Sequence, residues 1–263
     1  MRPYQLPDYS VSGEGDTTVY LLHGAYGSKE YWRYTIKAFT EAGYRVVTWD
    51  APGYGISPVP EQLSITLMAE VLGRLIDHTR SRRTVVLGHS MGGMVAQKVC
   101  DLYPEKVDVL VLSATIHTFN HSGAEWQEDF MRTRVLPLIK GREISEYAPE
   151  MIKAMMGPGA EGPAVDNVLH NIRLMSGTGF QTAIKTTSEF LEEDIITRLK
   201  MPVLCIAGEL DTTCPSHVMQ KMAKLASDSE FYEMKGVCHY GWAERQGEYM
   251  QVVLDFLQRR LPA

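Results

Sequence analysis

Short apolar runs alternate along the chain with longer stretches whose apolar residues recur at helical spacing. The runs at 18–22, 45–49, 84–87, 107–113, 202–207 and 230–234 read as strands. Most are apolar almost throughout, as strands covered on both faces must be. Segments 30–41, 65–79, 91–103, 216–225 and 247–261 read as helices. This alternation predicts a mostly parallel sheet flanked by helices, with a short antiparallel pair ahead of it near 9–12. The rhythm breaks from about 117 to 198, where helical patterning continues without a clear strand. Helices are expected there at 124–136, 144–156, 166–175 and 179–192, punctuated by Gly157-Pro158-Gly159 and Gly177-Thr178-Gly179. The expected organisation is a core of residues 1–116 and 199–263, with 117–198 inserted between the sixth and seventh strands as a helical cap. Such a lid excludes water and shapes a pocket; a helical excursion with no gating role is the alternative.

Composition narrows the partners. A chain of 263 residues holds one large α/β domain with an insertion. A net charge of −6 without a basic stripe argues against a nucleic-acid surface. The first ten residues lack the apolar region of a signal peptide. No apolar stretch approaches the ~18 residues that span a bilayer. The four cysteines form no C-x-x-C pair, Cys100 and Cys205 sit in apolar patterns, and a reducing cytoplasm is the expected compartment.

The chemistry centres on Gly88-His89-Ser90-Met91-Gly92. An apolar strand precedes it and a helical pattern follows, so Ser90 stands on a tight strand-to-helix turn with glycines two residues to either side. A serine nucleophile needs a base, a carboxylate to orient the base, and donors for the oxyanion. Of eight histidines, His239 is the candidate base, on a loop between the last strand and the final helix. His89 is held inside the turn and His23 braces a glycine-rich loop; the other five lack a matched partner loop. Asp211, just past the strand at 202–207, is the candidate acid, with Glu209 as its competitor. The oxyanion donors are expected to be the Met91 amide, at a helix N-terminus, and the Ala25 amide in His23-Gly24-Ala25-Tyr26-Gly27, with Tyr26 second.

These segments, together with Asp50-Ala51-Pro52-Gly53-Tyr54-Gly55-Ile56-Ser57 and Gly208-Glu209-Leu210-Asp211, resemble the α/β-hydrolase fold superfamily over nearly the whole chain outside the cap. The resemblance implies an eight-stranded, mostly parallel sheet with Ser90, Asp211 and His239 as a triad at its carboxyl edge. It assigns the 50–57 segment a structural role. The cap and the 202–215 segment are similar to the enol-lactonase and meta-cleavage-product hydrolase branches. Carbon–carbon hydrolases often carry further glycines and a proline in the oxyanion loop, and Trp after the catalytic histidine. Here Ala25, Tyr26 and Gly27 stand in that loop and Tyr240 follows His239, which leans toward ester or lactone cleavage.

The expected activity is therefore hydrolysis of a small carboxylic ester, thioester or lactone through an acyl-enzyme on Ser90. No cofactor or metal is expected. The alternatives are carbon–carbon hydrolysis of a vinylogous diketone, a ligand receptor, and cofactor-free oxygenase or perhydrolase chemistry. The expected pocket lining is Tyr26, Trp126, Phe130, Met155, Phe180 and Phe190; Arg132, Arg134 and Arg173 are cations that either meet a substrate carboxylate or form a solvated face. The expected partner is a small-molecule substrate, with neither nucleic acid nor membrane, and a homo-oligomer is left open.

Overall fold

The computed structural model describes residues 5–172 and 177–261. Among the described residues seven strands form one sheet: β1 (Tyr9–Ser12), β2 (Thr17–Leu22), β3 (Arg45–Trp49), β4 (Arg83–His89), β5 (Val109–Ser113), β6 (Val203–Gly208) and β7 (Ser229–Met234). Their spatial order is β1-β3-β2-β4-β5-β6-β7, and only β1 runs antiparallel to its neighbour. Val19 lies between Val46 and Val85, and Leu112 between Gly88 and Cys205. All residues of β5 and β6 are buried, while β1 and β7 at the edges are half exposed. Continuous apolar runs are thus confined to strands with helices on both faces.

The strand count departs from the expected eight. Among the described residues one antiparallel strand, rather than a pair, precedes β2. Pro7 ahead of it has no amide hydrogen to give to a ladder, and the Asp8 carbonyl instead accepts from Asp50 N at 2.8 Å. With one strand fewer, the insertion falls between the fifth and sixth strands.

The helices are α1 (Arg33–Glu41), α2 (Ile65–Thr79), α3 (Met91–Leu102), α4 (Gly123–Ile139), α5 (Ile144–Ala154), α6 (Pro163–Ile172), α7 (Gly177–Ser188), α8 (Ser216–Leu225), α9 (Gly241–Glu244) and α10 (Gln246–Arg260). The start of α2 is set by Ser64, whose side chain accepts from Leu67 N. The helix expected at 30–41 is split. A 3₁₀ turn over Lys29–Trp32, capped by Ser28, leads into α1. Helices α4 to α7 make up the insertion. Gly157-Pro158-Gly159 separates two of them as expected, but Gly177-Thr178-Gly179 lies in the first turn of α7 rather than between helices. The helix expected at 166–175 begins earlier, at Pro163, and its last three positions lie outside the described residues. The ends of the insertion are pinned together by a bridge between Thr118 and Leu191. Its exit is held to α3 by Lys98 with Glu192 (2.5 Å) and Arg198 with Asp101 (2.7 Å).

One aromatic cluster carries the core up to the carboxyl edge of the sheet. The Trp242 ring lies 4.6 Å from those of Tyr31 and Trp32, and 6.0 Å from that of His89. All four are buried. Truncating such a ring leaves a cavity the surrounding backbone does not refill. Trp242→Ala is expected to cost about 3–5 kcal/mol in a urea unfolding measurement, and a loss below 1 kcal/mol would contradict this packing.

Candidate active site

The turn at Ser90 is where the sequence motif becomes geometry. Ser90 has φ 55° and ψ −121°, a region that non-glycine residues occupy at a cost of about 1–3 kcal/mol. Three hydrogen bonds hold it there. Ser90 N donates to Ser113 O (3.0 Å), Thr115 Oγ1 donates to Ser90 O (2.7 Å), and Gly93 N donates to Ser90 O (2.8 Å). The flanking glycines have a steric reason. A Cβ on Gly88 would collide with Gly92 O, and one on Gly92 with Leu22 O. Strand and helix backbones touch there, which leaves Ser90 at the crest.

Asp211 and His239 meet from two neighbouring loops. His239 Nδ1 donates to Asp211 Oδ2 at 2.7 Å, and both residues are buried. The other oxygen, Oδ1, accepts from Thr213 N (2.8 Å) and Cys214 N (3.0 Å). These bonds orient the imidazole and leave its Nε2 as the acceptor. Among the described residues no hydrogen bond joins Ser90 Oγ to the His239 ring. The two are held in one neighbourhood by His89, whose Nε2 donates to His239 O at 3.0 Å. The competitor Glu209 lies on the surface, accepting from Lys235 Nζ and Gly236 N. Asp211, Cys214 and His239 place their ligand atoms within 4.8 Å of one another. Their donors are already engaged: both Asp211 oxygens and His239 Nδ1 are hydrogen-bonded, and burial pushes the Cys214 thiol well up from its ordinary value.

The loop at 23–27 presents amides toward the same edge. His23 Nδ1 donates to Gly24 O (2.8 Å), fixing the peptide that carries the Ala25 amide. Tyr54 OH donates to Ala25 O (3.0 Å), fixing the peptide that carries the Tyr26 amide. Gly24 N donates to Tyr31 OH (2.8 Å). Among the described residues the Ala25, Tyr26 and Met91 amides have no acceptor, so each is free to donate to an oxyanion.

Comparison with known proteins agrees with this fold. A family model for the alpha/beta hydrolase fold matches residues 17–141. A 2-hydroxy-6-oxononadienedioate/2-hydroxy-6-oxononatrienedioate hydrolase from Pseudomonas sp is 25% identical over 261 residues, covering 94% of this chain and 90% of that protein. A pimeloyl-[acyl-carrier protein] methyl ester esterase from Yersinia enterocolitica is 26% identical over 269 residues, covering 95% and 97%. The structure of a thermophilic esterase from Thermogutta terrifontis superposes with a TM-score of 0.84 at 22% identity, covering 97% of this chain and 94% of that one. The chain has the α/β-hydrolase fold.

In this α/β hydrolase the remaining expected residues divide. Tyr26 packs on Phe180 with ring centroids 4.7 Å apart, and its hydroxyl reaches Met151. Met155 lies beside the base, its carbonyl accepting from His239 N at 3.0 Å. Trp126 Nε1 donates to Thr212 O (3.3 Å), next to Asp211, and stacks on Phe130 at 5.1 Å. Phe190 is not brought to the site. It sits at the foot of the insertion and lines a separate cavity of about 190 Å³ with Ser64, Thr66 and Thr186. Its carbonyl accepts from Phe119 N at 2.8 Å, which pairs the two ends of the insertion. Arg132 is exposed and pairs with Asp129, whereas Arg134 is buried. Arg173 lies outside the described residues. A cavity of about 450 Å³ around Asp16, Arg83 and Leu257 opens at the opposite edge of the sheet. Parallel sheets bind ligands at their carboxyl edge, so it is a surface groove of the scaffold. Among the described residues no helix is long and apolar enough to cross a membrane.

Several residues that build the site carry no motif. Tyr31 accepts from Gly24 N and donates to His89 Nδ1 (3.1 Å), joining the 23–27 loop to the turn at Ser90. Glu244 accepts from Cys238 N, Tyr240 N and Gly157 N, holding the His239 loop and the end of α5 together. The signal for Glu244 was its spacing of five residues past His239, one turn into a helix. His23 and His89 are neutral. Burial pulls both below the ordinary histidine value, most strongly for His89, where His239 adds to the effect.

Two expectations follow. Tyr31→Phe leaves Gly24 N–H and His89 Nδ1 without their partner and costs about 1–3 kcal/mol in a denaturant melt; an unchanged midpoint would show that the hydroxyl bridges nothing. The lowered histidines also set a pH response. Their protonation favours the unfolded chain, so stability is full above the ordinary value of 6.5 and falls as pH drops below it. The urea midpoint is therefore lower at pH 5 than at pH 7, and the gap narrows in His89→Asn. Equal midpoints at the two pH values would refute a neutral, buried His89.

Proposed function

We propose that this α/β hydrolase cleaves a small carboxylic ester, thioester or lactone through an acyl-enzyme on Ser90. The observation that carries the reading is the buried Asp211–His239 pair at 2.7 Å, set beside a serine held in a strained turn. Serine is a weak nucleophile at neutral pH and needs such a base. In the proposed reaction, rotation of the Ser90 side chain on substrate binding brings Oγ to His239 Nε2. Oγ attacks the carbonyl carbon as its proton passes to Nε2. Asp211 stabilises the imidazolium and keeps Nδ1 as donor. The Met91 amide, at the start of α3, and the Ala25 amide take the oxyanion. His239 then protonates the leaving oxygen or sulfur, and a water activated by the same ring releases the acid.

The insertion at 117–198 acts in this reading as a lid. Met155 and Trp126 touch the base and acid loops, and Phe130, Tyr26 and Phe180 supply apolar walls. The substrate is a small molecule, and a cytoplasmic location fits the four unpaired, buried cysteines.

Carbon–carbon cleavage of a vinylogous diketone is the second reading, favoured by the similarity to the Pseudomonas hydrolase. The two are separated by comparing kcat/KM on a diketone ring-fission product with p-nitrophenyl esters of graded length. An ester preference supports the first reading, and a diketone preference by orders of magnitude replaces it. In either case Ser90→Ala is expected to lower turnover by about 10⁴–10⁶, and a phosphonate is expected to label Ser90. Near-normal turnover in that variant would rule the mechanism out.

A further inference from the structure

The insertion holds a cation for which no anion is supplied among the described residues. Arg134, on α4, is 8% exposed. Its guanidinium carbon lies 3.9 Å from the centroid of the Phe130 ring. Nη1 donates to Thr133 Oγ1 (3.2 Å), and Nη2 faces Thr213 Oγ1 (3.4 Å) and the Met155 sulfur (4.0 Å). Nε is buried with no hydrogen-bond partner. Among the described residues no carboxylate pairs with it. The carboxylate next along, Asp211, is spent on His239 Nδ1 and on the amides of Thr213 and Cys214. Buried charges are ordinarily paired, because an isolated one forfeits its hydration without return. A guanidinium with donors to spare is shaped for a two-pronged acceptor.

Its position says where that acceptor comes from. Thr213 belongs to the acid loop, and Met155 carries the carbonyl that receives His239 N–H. The backbone of Arg134 is itself fixed, its carbonyl accepting from Tyr147 OH at 2.9 Å. The Phe130 ring lies beneath the guanidinium and Trp126 stacks on that ring, so the cation sits against an apolar wall. We propose that Arg134 anchors a carboxylate carried by the substrate, so that the molecule cleaved at Ser90 is an ester or lactone whose apolar chain bears a free carboxylate.

The proposal rests on the hydrolase reading for its location, and its test separates the two. Methyl esters of ω-carboxy acids of four to eight carbons are compared with their neutral counterparts lacking the second carboxylate. For at least one length the wild-type enzyme is expected to favour the anionic ester in kcat/KM by about tenfold to a hundredfold, the worth of a hydrogen bond to a charged group. Arg134→Gln collapses that ratio toward one, and Arg134→Lys, which keeps charge but not the fork, retains part of it. The same pairs are titrated calorimetrically into Ser90→Ala and into Ser90→Ala/Arg134→Gln. If no ester is turned over but Ser90→Ala binds the anionic member more tightly and the double variant does not, the hydrolase reading falls and the carboxylate anchor stands. No anionic preference at any length overturns the proposal. So does an Arg134→Gln variant that weakens both members equally, since that marks a packing residue.

Discussion

Ser90 occupies a backbone conformation that a serine keeps only where its neighbours leave no other choice, and here the neighbours are main chain. Gly88, Gly92 and Leu22 bring three backbone segments into contact at one point. That contact sets the angle between β4 and α3, and the angle sets the crest. A second non-glycine residue with positive φ, Ala114 (44°), stands at the end of β5, beside the carbonyl of Ser113 that receives Ser90 N–H. Strain of about 1–3 kcal/mol per residue persists only if the surroundings over-determine it. They do so through bonds to β5 and Thr115 that a relaxed turn would break.

Around that crest, precision comes from neutral groups rather than ion pairs. His23 donates through Nδ1 and accepts from Ala51 N through Nε2 (3.0 Å), so one tautomer satisfies both nitrogens. His89 does the reverse, accepting from Tyr31 and donating to the carbonyl of His239. A buried imidazole with both nitrogens engaged avoids the desolvation cost of a charge. The exposed pairs, such as Lys37 with Glu41, contribute little by comparison. His23, Tyr31 and Tyr54 between them fix consecutive peptides of the 23–27 loop. The loop is therefore set before any substrate arrives, the condition under which amide donors are most effective.

The core was legible because its signals are local. Continuous apolar runs mark strands covered on both faces, Ser64 caps α2, and glycines at 88 and 92 mark where backbones touch. Asp211 and His239 could be placed at loop positions from chain order alone, and the two side chains meet. What failed depends on partners distant in sequence. Phe190 has the composition of a pocket residue, yet its carbonyl pairs with Phe119 N at the base of the insertion. Tyr31 and Tyr54 act through hydroxyl contacts to backbone groups, a role that leaves no spacing pattern. Arg132 and Arg134 look alike in sequence, and only packing separates the exposed one from the buried one.

The insertion is tied to the chemistry more closely than a detachable cover would be. The Met155 carbonyl and the Gly157 amide are hydrogen-bonded to His239 N and to Glu244, and Trp126 reaches Thr212. A rigid-body opening of the whole segment would strip the base of the bonds that hold its loop. Any opening compatible with an intact site must therefore leave residues 155–157 in place and pivot elsewhere. The insertion is then two mechanical parts. The segment just past α5 is bonded to the loop that carries His239, while α4 reaches the loop that carries Asp211 through Trp126 and Arg134.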